Sequence, residues 1–364
     1  MKTKTANQPN YSPEPIQETQ TTQTPQPAPN PFLHPTPPHD NSTATPQHIP
    51  AHRRCSPEHD AENDGFRVVH DEDEIIRLIS ERHNGKELHA RQRPRKLIQG
   101  VTFDCEEWML EIKLNELGNI IDHFIIVEGA YTLQNTPRTQ CFHSIMRSND
   151  RISQWAHKIA YVYDDHPIPG FVYWEAEVYY RNLIGLAGLE RIVNLTRDDL
   201  IIVTDMDELP HPAFLSVLKT HDGFRTPINL HMLWSYYSYK WTNTASWPVN
   251  AIVSVAELAR AGNRTNQVRF DLLSNPDGWS TGPAMIVGWH CSWCMPTARF
   301  IDKMAHFAHS ELNQDRFRDE SWLNNMREQG LWFPDAAPNG CVQSELQVPE
   351  YVRNNAQKFH DIST

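Results

Sequence analysis

Four consecutive apolar or β-branched residues, Ile201, Ile202, Val203 and Thr204, run directly into Asp205-Met206-Asp207-Glu208, with Pro210 and Pro212 just beyond. An apolar run with no polar alternation predicts a strand buried on both faces, as in parallel sheets covered by helices. The prolines turn the backbone out of the strand. The acids therefore fall at its carboxyl end, where open α/β sheets take their ligands. Asp-x-Asp in that position offers hard oxygen donors to a divalent ion on a phosphate substrate. The same acids would also serve as loop residues or as the cap of a following helix, so the motif gains force from its context.

That context is an alternation of strand and helix beginning at Leu97. Residues 98–103 predict a first strand, and Asp104 with Glu107 three positions on resembles a capping box that opens a helix over 105–118. Leu110, Leu114, Leu117 and Ile121 form one apolar stripe, which Gly118 can close. A second strand over 123–127 ends in Glu128-Gly129 and a third over 159–163 ends in Asp164-Asp165. A long helix over 174–191 then carries Glu177 and Arg181 at i, i+4 spacing. The pattern predicts an α/β fold, a mostly parallel sheet flanked by helices. Glu128 reads either as a ligand-binding acid or as plain surface loop, and Arg181 either as a ligand contact or as the partner of Glu177. The cluster Trp234, Tyr236, Tyr237, Tyr239, Trp241 and Trp247 reads either as a surface for sugar rings or as core.

Composition divides the chain. Nearly half of its 27 prolines fall within residues 1–57, among Thr, Gln, Ser and Asn and with almost no large apolar side chains. Residues 1–65 are expected to form a disordered tail, 66–96 a polar helical linker and 97–364 the folded domain. No run approaches the ~18 apolar residues of a membrane span, and no apolar signal core opens the chain, so it is expected to be soluble. A formal charge of −12 without a dense Lys/Arg block argues against nucleic acid and for a small partner. Six cysteines in a chain of this length leave the redox compartment open.

The order of elements, the acid pair and the aromatic second half describe a nucleotide-sugar transferase of the GT-A type. The residues also resemble glycosyltransferase family 17. The resemblance lies in Glu111-Ile112-Lys113-Leu114-Asn115-Glu116-Leu117, Phe124-Ile125-Ile126-Val127-Glu128, Tyr180-Arg181-Asn182-Leu183, Asp198-Asp199-Leu200 and Asp205-Met206-Asp207-Glu208. It continues through Gly288-Trp289-His290-Cys291-Ser292-Trp293-Cys294 and His309-Ser310-Glu311, in the family's order and spacing. It implies a GT-A-like fold and inverting transfer of N-acetylglucosamine from UDP-GlcNAc to a β-linked mannose of an N-glycan-like acceptor. The chain departs from the family over 131–138, where a glycine followed by basic residues is usual. The amino-terminal membrane anchor of the animal members is not expected in this chain, so Golgi residence is not carried over from the resemblance.

This chemistry needs a divalent ion, Mn²⁺ or Mg²⁺, to neutralise the leaving diphosphate, which suits Asp205 and Asp207. His290, after a strand expected over 284–287, is the candidate third ligand, or else a packed loop histidine. Glu128, Arg181 and Asp205 are candidates for the nucleotide-sugar donor, and Trp289 and Trp293 for sugar contacts. A general base must take a proton from the acceptor hydroxyl. Asp277, in the turn Asn275-Pro276-Asp277-Gly278, and Glu311 are candidates, and each also reads as a turn former or structural acid. Two rival readings exist. One is a catalytically silent glycan-binding protein on the same fold. The other is a zinc module of Cys291, Cys294, His306 and His309, although the step between its histidines is short for a finger. A disulfide or packed thiols would also account for those cysteines.

Overall fold

The computed structural model describes residues 67–168, 173–243, 245–271, 278–334, 336, 340–342 and 347–363. The tail expected over 1–65 and the turn holding Asp277 lie outside them. Four strands, β1 (Leu97–Thr102), β2 (His123–Gly129), β3 (Ile159–Asp164) and β4 (Leu200–Val203), lie parallel in the spatial order β4-β1-β2-β3. The strand order reverses between β1 and β4, and the carboxyl ends flanking such a reversal frame a binding crevice.

Both faces of this half-sheet are buried, as the apolar runs predict. Val101, Ile126 and Ile202 point to one face, where α1 (Glu72–Arg82) and α2 (Glu107–Leu117) contribute Ile75, Ile79, Leu110 and Leu114. Their alternates, Ile98, Ile125, Ile201 and Val203, point to the other face with Ala176, Tyr180 and Ile184. The expected linker over 66–96 is therefore part of the body from Arg67 on. Its helix α1 is amphipathic, and Ile75 and Ile79 have no solvent exposure.

The parallel pattern stops at β4. Ala251–Ser254 pairs antiparallel with β4, Ile228–Asn229 antiparallel with it in turn, and Trp279–Ser280 parallel with that last strand. The sheet is thus mixed, because the sequence past residue 227 no longer alternates strand with crossover helix, and parallel neighbours need such a crossover. A second, five-stranded sheet contains β5 (Glu208–Pro210), β6 (His231–Tyr236), β7 (Ser238–Asn243), β8 (Ile286–Ser292) and Gly340–Val342. Tyr236, Tyr237 and Trp241 pack there against Phe300 and Phe333, so these members of the aromatic cluster are core.

Two local expectations change. Helix α2 starts at Glu107, and Asp104 does not cap it. Asp104 instead pairs with Arg138, while Cys105 takes a left-handed backbone (φ 62°) and is disulfide-bonded to Cys141, just before α3 (Phe142–Ser148). The helix expected over 174–191 is α-helical only over Tyr173–Leu183, here α4, and continues as a π turn over Ile184–Gly188.

Candidate functional site

Only residues 204–207 separate β4 from β5, so the Asp-x-Asp segment is the corner where the chain passes from one sheet to the other. A sharp corner leaves backbone groups without ladder partners, and buried side chains take them up. Lys113, buried on α2, donates from Nζ to the carbonyls of Asp205 (3.1 Å) and Glu208 (2.6 Å) and to Thr204 Oγ1 (3.2 Å). Burial pushes this ammonium down to about 8, against the opposing pull of Glu208, Asp207 and Asp205. The N–H of Asp205 donates to Glu208 Oε2 at 2.8 Å.

Two arginines close on this corner. Arg269, on α5 (Thr265–Asp271), donates to Glu208 Oε2 at 2.9 Å and Oε1 at 2.8 Å, and to Asp205 Oδ2 at 2.7 Å. Arg181, on α4, donates to Asp205 Oδ1 at 3.0 Å, to Asn266 Oδ1 at 2.7 Å and to Glu177. Burial alone would raise the Asp205 carboxyl, but Arg269 and Arg181 outweigh it and hold it far below the ordinary range. Both oxygens of Asp205 are thereby engaged by guanidinium groups. Asn182, beside Arg181, accepts from the N–H of Asn266, which docks α5 onto α4.

Asp207 has a different environment. His290 lies inside β8 rather than in a loop after it, opposite Glu208 in the antiparallel register of β8 with β5. The N–H of Cys291 donates to the Asp207 carbonyl at 3.1 Å, and His290 Nε2 stands 3.6 Å from Asp207 Oδ1. Gly288 permits this approach, since a Cβ there would fall 2.3 Å from the carbonyl oxygen of Leu209. The His290 ring packs on Trp247, 4.4 Å between centroids, and its Nε2 is 3.1 Å from Ser292 Oγ. Its Nδ1 is buried without a hydrogen-bond partner among the described residues. Burial would raise Asp207, but His290 and Lys303, on α6 (Thr297–Met304), overcome it and hold the carboxyl below its ordinary range.

The other sequence candidates spread out. Glu128 is fully buried and accepts from the N–H of Cys141 (2.7 Å) and of Phe142 (3.3 Å) and from the Tyr161 hydroxyl, so it holds the start of the helix Phe142–Ser148. Trp289 is core, its ring beside His211. Trp293 stacks on Phe300 at 4.2 Å, and Lys303 Nζ lies 5.9 Å from its ring centroid. Glu311 is exposed and pairs with His309 at 2.5 Å. Cys291 and Cys294 are disulfide-bonded to each other, which removes two of the four ligands from the zinc reading.

Sequence reasoning missed Arg269, Glu208, Lys113 and Lys303 as site residues. Lys113 had a signal, the one basic residue on a helix stretch where Met109, Leu110, Ile112 and Leu114 are apolar. Arg269 had none, because its helix is short and polar and meets Asp205 only through the fold.

Residues 60–332 match the model of Glycosyltransferase family 17, and the chain belongs to that family. The human β-1,4-mannosyl-glycoprotein 4-β-N-acetylglucosaminyltransferase is 28% identical over 298 residues, covering 75% of this chain and 56% of the relative. The Rattus norvegicus protein of the same name is 27% identical over 297 residues, covering 75% and 55%. The chain spans about half the length of the curated relatives it matches.

Proposed function

We propose that this member of family 17 transfers N-acetylglucosamine from UDP-GlcNAc to a β-linked mannose of an N-glycan-like acceptor, with inversion and with Mn²⁺ or Mg²⁺ at Asp207 and His290. One observation carries the reading. Asp207 and His290 face each other at 3.6 Å beside the strand-order reversal, where a nucleotide would bind. That separation suits two donors on one ion, which stand about 3–4 Å apart when each bond is near 2.1 Å. The sugar and acceptor come from the names of the relatives.

When bound, the ion would neutralise charge on the departing diphosphate. The chain's own groups prepare the place for it. Arg181 and Arg269 fix Asp205, so the corner cannot swing as charge moves past it. Lys113 holds the corner's carbonyls from beneath. Lys303, whose ammonium is raised by Glu106, Asp207 and Asp205 against its burial, keeps a positive charge beside Asp207 for the phosphates. Preorganised charges of this kind stabilise a transition state without reorganising during the reaction.

A panel of UDP- and GDP-sugars, assayed for turnover with and without Mn²⁺ against an N-glycan core oligosaccharide, tests the proposal. Metal-dependent transfer from UDP-GlcNAc above all other donors is expected. Equal turnover without metal, or none with any donor, would contradict it.

A further inference from the structure

Asn-x-Ser/Thr triplets accept N-linked glycans when a chain passes through a secretory compartment. Two fall among the described residues, Asn194-Leu195-Thr196 and Asn263-Arg264-Thr265, and the fold treats them differently. The first lies in the loop over 192–199, which enters β4 at the amino edge of the parallel strands. Asn194 is exposed and takes a left-handed backbone (φ 57°), which asparagine tolerates. Its neighbour Val193 is 72% exposed, more than any other large apolar side chain among the described residues.

The loop is held in this shape from its base. Asp199, which is buried, accepts at Oδ1 from the N–H of Lys96 (2.7 Å) and at Oδ2 from the N–H of Thr196 (2.6 Å). Lys96 Nζ donates to the carbonyls of Val193 (3.0 Å) and Asn194 (2.8 Å). These bonds take up the backbone of the turn and leave the Asn194 side chain at the surface. The Asp-x-Asp corner lies past the opposite end of β4, roughly 13 Å of strand away. A branched hydrophilic group on Asn194 would therefore shield Val193 and leave the corner open. The second triplet is instead built into the joint between α4 and α5. Asn263 is half-buried, and Thr265, without solvent exposure, donates its hydroxyl to the Arg181 carbonyl.

The cysteines point to the compartment. Cys105–Cys141 and Cys291–Cys294 are disulfides, and none of the described cysteines is free. Such bonds persist in oxidising compartments and are rare in the reducing cytosol. The route that permits them also exposes the chain to N-glycosylation.

We propose that Asn194 carries an N-linked glycan, acquired as the chain enters an oxidising secretory compartment. The co-reactant is an oligosaccharide carried on a lipid diphosphate. In the step, the side-chain nitrogen of Asn194 forms a bond to the anomeric carbon of that oligosaccharide and gives up one proton to a base of the transferring enzyme. The bond from the anomeric carbon to the diphosphate breaks, and the lipid diphosphate leaves with the electron pair. The modification does not depend on the donor, metal or acceptor proposed above.

The test uses the full chain isolated from the organism that makes it. Peptide mass spectrometry after enzymatic release of N-glycans in heavy-oxygen water should mark Asn194 as occupied. Thiol labelling of the denatured, unreduced chain should leave Cys105, Cys141, Cys291 and Cys294 unlabelled. Asn194→Asp suits the left-handed backbone and should migrate faster in electrophoresis by one glycan, whereas Thr196→Ser keeps the triplet and should migrate as the native chain does. An unmodified Asn194 in the native chain, labelled thiols at those four cysteines, or native mobility in Asn194→Asp overturns the proposal.

Discussion

Arg269 and Glu208 form a two-pronged ion pair, Nη1 to Oε2 at 2.9 Å and Nη2 to Oε1 at 2.8 Å, with side chains 1% and 0% exposed. Glu208 also accepts from Trp247 Nε1 at 2.7 Å, so its remaining lone pairs are used. A buried pair this well satisfied tolerates loss of neither partner, because the survivor is left charged without compensation.

Arg269→Met strands Glu208 and one oxygen of Asp205 together. Chemical denaturation should show a loss of about 3–5 kcal/mol. A loss below about 1 kcal/mol, the range of exposed pairs, would show that the corner does not depend on this arginine.

The Cys291–Cys294 bridge separates the metal and zinc readings of one short segment. Cys291→Ser should cost about 2 kcal/mol from the closed loop and leave most Mn²⁺-supported turnover intact, while His290→Ala should reduce that turnover strongly. Purified protein should carry no stoichiometric zinc by elemental analysis. Tightly held zinc, with full activity in His290→Ala, would contradict both expectations.

Stability should fall with acid through two histidines. Burial, with a push from His70, lowers His211 to about 4, and burial, with a push from Arg82, lowers His231 to about 4. An unfolded histidine titrates near 6.5, so between about 6.5 and 4 the unfolded chain binds more protons than the folded one. The stabilisation is complete above that window and is lost as pH falls through it. His211 Nδ1 accepts from the N–H of Ala213 at the start of the helix Pro212–Thr220. His211→Asn can keep that cap while removing the titration, so its denaturation midpoint should depend less on pH between 4 and 6.5. An unchanged pH slope would remove His211 from the account.

Where one periodicity ran long enough, the fold was legible in the sequence. The apolar runs of β1, β2 and β4 announced a sheet buried on both faces, and the alternation of Ile201, Ile202 and Val203 between two cores agrees with that. The Asp-x-Asp acids were legible as the end of a strand, and they follow β4 directly. The rest depended on contacts between residues far apart in sequence. His290 reaches Asp207 through a strand register, and Arg269 reaches Asp205 across 64 positions. Neither leaves a local pattern. The same limit explains the antiparallel half of the first sheet, whose short strands carry too few residues for a period to show.

The central claim is that Asp207 holds a metal for a nucleotide, and calorimetry of UDP binding with and without Mn²⁺ tests it most directly. For the native chain, Mn²⁺ should tighten UDP binding. In Asp207→Ala that gain should fall by about tenfold or more, about 1.4 kcal/mol, while Tm changes little. Metal-dependent UDP affinity in Asp207→Ala equal to that of the native chain would contradict the account.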